Sequence, residues 1–332
     1  MGTMRLVQLK SNKCELLNVG VSYLKRLKFK EFFAGIAYLA LSHSMQLLDH
    51  FKYNIVVLTS KNRFIRVKIH DNSLVHVDLQ DRGLSKELLL YGKREVFSTS
   101  FLMKFLDKDD VIIDIGANLG YYVILECKIA NKGWVYAIEP VPQLVNLLKE
   151  NVKLNNCKNV SIFQLAIGES NTSKKMYIYD RLNWSSLFRK NKGKVIKVIE
   201  VPMLTLDTFV ERYVNKIPTF IRMDVEGYEY NILKHSQNVL KKYCSKMFIE
   251  LHPHLLRHEE LSEIIEIFKR YGFKIKAIFL EPPMHVYRAL GIVNKLRKVI
   301  GVPEFGFVGD TYNDLQRILS LNYTARIFLE RV

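Results

Sequence analysis

The chain has 332 residues, 48% of them hydrophobic, which suits one large globular domain or a domain with an appendage. Fifty Lys and Arg against 33 Asp and Glu give a net charge of +17, which favours anionic partners such as nucleic acid, a phosphorylated substrate or an acidic membrane surface. The four cysteines contain no Cys-x-x-Cys pair, so neither a zinc site nor a redox motif is indicated.

The cysteines and the hydrophobic pattern predict a cytoplasmic protein. Cys127 falls within a predicted helix and Cys244 just before an apolar strand, so both are predicted to be buried thiols in a reducing compartment. Residues 1–13 do not resemble a signal peptide, and the longest apolar run, residues 32–41, is about half of the ~18–20 residues that a membrane span needs.

The first 94 residues are predicted to form a helical and antiparallel-strand appendage, followed by the main domain at residues 95–332. A basic amphipathic helix is predicted within residues 1–50, where Lys25, Arg26, Lys28 and Lys30 precede the apolar residues 32–41. A similar basic stretch occurs at residues 295–300. Such helices either pack on the domain or lie on an anionic membrane, and the second alternative predicts peripheral contact with its inner face. Three short strands are predicted at residues 55–58, 64–69 and 74–79.

A strand, a tight turn and a helix are predicted at residues 111–130. The apolar residues 111–113 lead to Asp114, and Gly116, Asn118 and Gly120 follow within six residues. Glycines at such a turn let the backbone bend and let a ligand approach closely. The helix start offers free N–H groups to a polar ligand.

The next strand, residues 133–138, ends at Glu139. An acid at this point of a βαβ unit can accept hydrogen bonds from both hydroxyls of a ribose, so the unit is predicted to bind a nucleoside. Strands and helices then alternate to the end of the chain, with a helix predicted at residues 227–240. This alternation predicts an α/β fold with a mostly parallel sheet and helices on both faces.

A second acidic motif covers residues 219–229. Asp224 ends a predicted strand, Glu226 lies in the turn with Gly227, and Glu229 begins a helix. Three carboxylates so close together need a cation or a shared proton. The alternative is that they complement the helix dipole, which fits Glu229 best.

Together these segments resemble the FkbM family of methyltransferases. The resemblance covers about residues 95–280 and includes the motif Asp-Val-Glu-Gly-Tyr-Glu at residues 224–229. It implies a Rossmann-like methyltransferase fold with a seven-stranded sheet, the cofactor S-adenosylmethionine, and transfer of a methyl group to a hydroxyl oxygen of a sugar or glycan, a glycolipid or a secondary metabolite. Arg222 stands where the family usually has Lys, and Arg cannot act as a base.

The resemblance implies a cofactor lying across residues 116–120, with its ribose on Glu139, its adenine near residues 165–166 and its amino-acid end near Asp114 and Asn118. Glu95 is expected there by resemblance alone. The predicted cofactor-binding residues are Glu95, Asp114, Gly116, Asn118, Gly120, Glu139 and Ala166.

Three residues are candidates for the base that removes the proton of the hydroxyl: Asp224, Glu226 and His252. A His252 with a near-neutral pKa would be the natural base. The alternative is that the carboxylates hold Mg²⁺, which would acidify the hydroxyl. The prediction is a reaction without a metal.

Three other functions remain as alternatives, of which a non-catalytic binding protein with the same fold is disfavoured by the intact residues Asp114, Gly116, Glu139 and Asp224. The positive charge suggests an RNA methyltransferase, but the Pro-Pro motif of base methylation is missing after Asp224 and no nucleic-acid module is recognisable, so a nucleic-acid partner is not favoured. A nicotinamide-dependent oxidoreductase is disfavoured because the glycines do not follow G-x-G-x-x-G. The contacts to the acceptor, which the family suggests is a small molecule or a lipid-linked glycan, are expected from the loop at residues 180–194, the appendage and residues 281–322. The oligomeric state is not indicated.

Overall fold

The computed structural model describes residues 29–190, 193–286 and 306–331. By its internal contacts the chain forms two compact units. The first comprises residues 1–58 and 282–305, and the second comprises residues 59–281 and 306–332. The second unit thus begins at residue 59, whereas the sequence suggested a domain boundary between residues 94 and 95. The boundary at residues 94 and 95 stays a prediction.

The helices and strands are named here in chain order. The first eleven are α1 (Phe29–Thr59), β1 (Phe64–Lys68), β2 (Leu74–Asp78), α2 (Leu84–Tyr91), α3 (Val96–Phe105), β3 (Val111–Ile115), α4 (Tyr121–Ile129), β4 (Trp134–Ile138), α5 (Pro142–Leu154), β5 (Val160–Phe163) and β6 (Ala166–Ile167). The others are β7 (Thr172–Tyr179), β8 (Val195–Leu204), α6 (Leu206–Tyr213), β9 (Phe220–Met223), α7 (Glu229–Lys234), α8 (Gln237–Lys242), β10 (Lys246–Leu251), α9 (His258–Arg270), β11 (Phe273–Leu280), β12 (Gly306–Gly309), α10 (Tyr312–Ser320) and β13 (Ala325–Arg331).

Helix α1 makes up most of the described part of the first unit. It includes residues 55–58, so the strand predicted there was wrong: a run of four apolar residues fits a helix as well as a strand. The basic residues 25, 26 and 28 and the stretch 295–300 lie outside the described residues, and the side chains of residues 29–39 are not described. Within the described part of the chain, no helix is both long enough and apolar enough to cross a membrane.

The second unit is built on an eight-stranded sheet with the order β12-β11-β13-β10-β9-β3-β4-β5. Strands β10, β9, β3, β4 and β5 are parallel, whereas β13 is antiparallel to both of its neighbours and β12 is antiparallel to β11. The predicted α/β fold is confirmed. The prediction of seven strands missed β12, a four-residue edge strand that begins and ends with glycine, a residue that strands disfavour.

Strands β1 and β2 form the predicted antiparallel hairpin, which belongs to the second unit. The amide of Asn151, in α5, accepts from the backbone N–H of His76 and donates to its carbonyl. Asn155 makes the same pair of bonds to the backbone of Leu74. The hairpin is therefore hydrogen-bonded to the helix that follows β4.

The single helix predicted at residues 227–240 is two short helices, α7 and α8. The hydroxyl of Ser236 donates to the carbonyl of Ile232 and so competes with the helical ladder at the break. The carboxylate of Asp207 then accepts from the N–H groups of Asn238 and Val239 and caps the start of α8.

Cys127 and Cys157 form a disulfide, with their Cα atoms 5.9 Å apart. The prediction of a free thiol at Cys127 was therefore wrong, because 30 residues separate the two cysteines and only the fold brings them together. Cys244 is buried and free, as predicted.

Candidate active site

A cavity lies at the edge of the sheet where β3, β4 and β9 end. The carboxyl ends of parallel strands are where open α/β sheets bind ligands. The predicted site residues that line the cavity are Gly116, Asn118, Glu139, Ala166, Asp224 and Glu226. Residues from both acidic motifs therefore open into one cavity.

The turn after β3 requires its glycines. Gly116 has a φ of 86°, and a Cβ there would lie 2.0 Å from the carbonyl oxygen of Asp224, so a larger residue would displace the second motif. Asn118 also adopts a left-handed φ, 53°, and its Oδ1 accepts from the N–H of Leu119 at 2.8 Å. Gly120 begins α4 with a φ of 95° and packs against Leu148 rather than lining the cavity.

Glu139 follows β4 and is held by two backbone groups. Its Oε2 accepts from the N–H of Asn118 at 2.8 Å, and its Oε1 accepts from the N–H of Val141 at 2.9 Å. Burial raises the pKa of Glu139 to about 7, although these hydrogen bonds oppose the shift. Both oxygens keep a further lone pair that can accept from a ligand.

Asp114 lies at the end of β3 and is completely buried, so it does not line the cavity. Its Oδ1 accepts from Nη1 of Arg222 at 2.7 Å, and its Oδ2 has no hydrogen-bond partner. Burial raises the pKa of Asp114, and the charge of Arg222 partly offsets this effect.

Arg222 connects the two motifs through its guanidinium. Nη2 lies 3.4 Å from Oδ2 of Asp224, and the guanidinium carbon lies 4.0 Å from the ring centre of Tyr122. Asp224 also has Nη2 of Arg94 at 3.8 Å. Asp224 therefore faces the cavity with two cations behind it.

Glu95 precedes α3 and does not line the cavity. It pairs with Arg94 and with Nη2 of Arg326 at 3.1 Å, and it accepts from the hydroxyl of Tyr122 at 2.5 Å. Burial opposes ionisation, but Arg326 and Arg94 hold the pKa of Glu95 below its usual range. Arg326 also donates to Glu250 at 2.6 Å, so these residues form a buried ionic cluster beside the cavity.

Leu182, Asn183 and residues 185–187 also line the cavity, and Glu226 is hydrogen-bonded to this segment. The hydroxyl of Ser186 donates to the carbonyl of Glu226 at 3.1 Å, and Nζ of Lys190 lies 2.6 Å from its Oε2. Ser185 lines the cavity too, and its buried hydroxyl has no hydrogen-bond partner. The sequence suggested this loop as a source of acceptor contacts but carried no motif that singled out Ser185, Ser186 or Lys190.

His252 follows β10 and is buried among carboxylates rather than lining the cavity. Its Nδ1 lies 2.8 Å from Oε1 of Glu229, and its Nε2 lies 3.6 Å from Glu250 and 4.0 Å from Glu226. Burial alone would lower the pKa of His252, but Glu229 and Glu226 raise it to about 10. The imidazole is therefore protonated near neutral pH, unlike the near-neutral pKa that the sequence suggested.

Among the described residues, Asp224, Glu226 and His252 could together hold a metal ion, since one ligand atom from each lies within 4.8 Å of the others. Cations of the protein already pair with two of these three residues. Lys190 pairs with Glu226 and Arg222 pairs with Asp224, while His252 is protonated. A metal ion would have to displace the Lys190 ammonium and the imidazole proton.

Comparison with known proteins identifies the domain that carries this cavity. Residues 114–275 match the model of the methyltransferase FkbM domain. The hexuronic acid methyltransferase AglP of Haloferax volcanii is 27% identical over 165 residues, which are 49% of this chain and 64% of AglP. Methyltransferase 1 of Beauveria bassiana is 23% identical over 144 residues, 38% of this chain and 58% of that protein.

The chain thus spans less than two thirds of the length of either relative. Among solved structures, M. jannaschii TYW2 in complex with AdoMet aligns with a TM-score of 0.39 and 14% identity, over 82% of this chain and 89% of that chain. The prediction of the family is confirmed for residues 114–275, which form an FkbM methyltransferase domain.

Proposed function

We propose that the cavity binds S-adenosylmethionine and that the enzyme transfers its methyl group to a hydroxyl oxygen of a sugar or glycan, a glycolipid or a secondary metabolite. The observation that carries the proposal is that Gly116, Asn118 and Glu139 share one cavity with Asp224. A sugar acceptor is supported by the similarity to AglP, whose name describes a hexuronic acid methyltransferase.

The residues present suit the cofactor. The free lone pairs of Glu139 can accept from the two ribose hydroxyls. Leu165 and Ala166 provide an apolar wall for the adenine, and the backbone of the turn at residues 116–120 allows close approach. Asp114 and Glu95 do not contact the cofactor in this proposal. Asp114 holds Arg222 in position and Glu95 holds Arg94.

Asp224 is the residue that we assign as base. When bound, S-adenosylmethionine supplies a methyl group on a positively charged sulfur, which a hydroxyl oxygen can attack. The hydroxyl must lose its proton, and Asp224 is a carboxylate that opens into the cavity. His252 is assigned a different role: as a cation it holds Glu229 and Glu226, and it has no free nitrogen lone pair to accept a proton.

Isothermal titration calorimetry tests the cofactor. We expect binding of S-adenosylmethionine and none of NADH, and the reverse result would overturn the proposal. Mass spectrometry of glycans, lipids and small metabolites from cells with and without the gene then tests the acceptor. We expect a species that is lighter by about 14 mass units, one CH₂, when the gene is absent. Methyl transfer to RNA but to none of these fractions would contradict the proposed acceptor class.

A further inference from the structure

An exposed apolar stripe runs along the C-terminal half of α1, in the first compact unit. Its five side chains are between 42% and 84% exposed. They are Leu47, Leu48, Phe51, Ile55 and Leu58. Apolar side chains scattered singly over a surface are ordinary, whereas a contiguous group of this kind marks an interaction site.

The five residues share one face of the helix. At 3.6 residues per turn they fall within an arc of about 100°, the width of the apolar face of an amphipathic helix. A different face, which carries Asp49 and Tyr53, is the one that is buried. The stripe is therefore not the side by which α1 packs, and Lys52 and Asn54 are exposed beside it.

The unit that carries the stripe is strongly basic. Residues 1–58 and 282–305 contain 12 Lys and Arg and four Asp and Glu, a net charge of +8. About half of the net charge of +17 thus belongs to about a quarter of the chain. This charge opposes association with a second copy, because two units of the same sign would be brought together.

We propose that the first unit binds the surface of an anionic membrane, with the stripe of α1 inserted among the lipids. Apolar side chains on one helix face and an excess of Lys and Arg in the sequence of the same unit are the two features that such binding combines. Nucleic acid would match the charge but would leave the five apolar side chains in water. This site is independent of the cofactor cavity, which belongs to the second unit.

Co-sedimentation of the full-length protein with vesicles tests the proposal. The vesicles are phosphatidylcholine with or without phosphatidylglycerol, at low and high salt. We expect binding that requires the anionic lipid and weakens with salt. The pair Phe51→Asp and Leu58→Asp should lower the affinity by more than about tenfold, because it removes two inserted side chains and adds two negative charges.

The matched control is Ile196→Asp with Ile217→Asp, which makes the same charge change at exposed apolar residues of the second unit. It should bind vesicles within about twofold of the wild type, since these residues lie outside the stripe. Melting curves verify folding, and Phe51→Ser with Leu58→Ser replaces the aspartate pair if that pair lowers the melting temperature. The proposal is overturned if the wild type does not bind anionic vesicles at low salt. It is equally overturned if the stripe variant and the control variant bind these vesicles with the same affinity. A third contrary result would be a wild-type protein that is a dimer in solution, together with a Phe51→Asp, Leu58→Asp variant that is a monomer and binds vesicles as the wild type does.

Discussion

Arg222 donates from Nη1 to Oδ1 of Asp114 across 2.7 Å, and both side chains are buried. The same guanidinium approaches Asp224, so one cation serves the carboxylates of two neighbouring strands. A Lys at this position would present a single ammonium. The planar guanidinium can face both carboxylates at once while it stacks on Tyr122.

Removal of Arg222 should destabilise the fold. Arg222→Ala leaves Asp114 buried without its cation, and we expect the free energy of unfolding to fall by about 3–5 kcal/mol. Arg222→Lys keeps the charge and should cost less. Urea denaturation measures both variants. The control Arg257→Ala removes an arginine whose side chain is 76% exposed, and it should cost less than about 1 kcal/mol. Equal effects of the two alanine variants would contradict this account.

Asp224→Asn should reduce turnover without abolishing cofactor binding. The amide keeps the shape of the side chain but cannot accept the proton of the hydroxyl, so we expect kcat to fall by about 10²–10⁴-fold. Steady-state kinetics and calorimetry separate the two effects. The exposed Asp310 provides the control, Asp310→Asn, which should leave kcat unchanged. Full activity of Asp224→Asn would remove Asp224 from the mechanism.

Glu139→Gln should weaken the binding of S-adenosylmethionine. The glutamine amide group would face an N–H of Asn118 or Val141, and only one oxygen would remain to accept from the ribose. We expect the dissociation constant to rise by roughly 10–100-fold, the effect of one hydrogen bond to a charged group. Titration calorimetry with Glu150→Gln, whose side chain is 60% exposed on α5, serves as the comparison. An unchanged affinity would refute the ribose assignment.

The ion pairs of His252 should make stability depend on pH. The pKa of His252 is raised from 6.5 to about 10, because Glu229 and Glu226 outweigh the effect of burial. A raised pKa means that the stabilisation is complete below about pH 6.5 and is lost as the pH rises towards 10. The unfolding free energies of the wild type and His252→Gln, measured between these limits, should converge at high pH. A difference that stays constant would show that His252 is not charged in the folded protein.

Activity should survive the removal of divalent metal ions. Lys190 and Arg222 already provide positive charge at Glu226 and Asp224, so the acidic motif is neutralised without a metal. We expect the initial rate in EDTA to equal the rate in Mg²⁺. The opposite finding, activity that is lost in EDTA and restored by Mg²⁺, would mean that Asp224, Glu226 and His252 bind the ion.

Local patterns in the sequence were sufficient to predict the strand-turn-helix at Gly116, the acid at Glu139 and the strand end at Asp224. Each depends on a few neighbouring residues: an apolar run, a residue that tolerates a positive φ, and a carboxylate at a strand end. Residues 55–58 were assigned to a strand instead of a helix because four apolar residues have no decisive period.

The remaining features of the site depend on pairs that are far apart in the chain. Lys190 reaches Glu226 over 36 residues, and Arg326 reaches Glu95 over 231 residues. No motif marks such partners, since each is a single charged residue in an ordinary segment. The pKa of His252 was misjudged for the same reason, because Glu229 and Glu226 approach it only in the folded chain.

Strand β13 lies between β10 and β11, both of which precede it in the chain. During synthesis β10 and β11 are therefore made first, and they must leave room between them for β13. Direct pairing of β10 with β11 would be a misfolded state. Arg326 belongs to β13 and donates to Glu250 and Glu95, so these two acids have Arg94 as their arginine partner until β13 enters the gap. A nascent chain that stalls before residue 325 would therefore expose unpaired strand edges beside two acids that lack one of their two arginine partners, a target for chaperones.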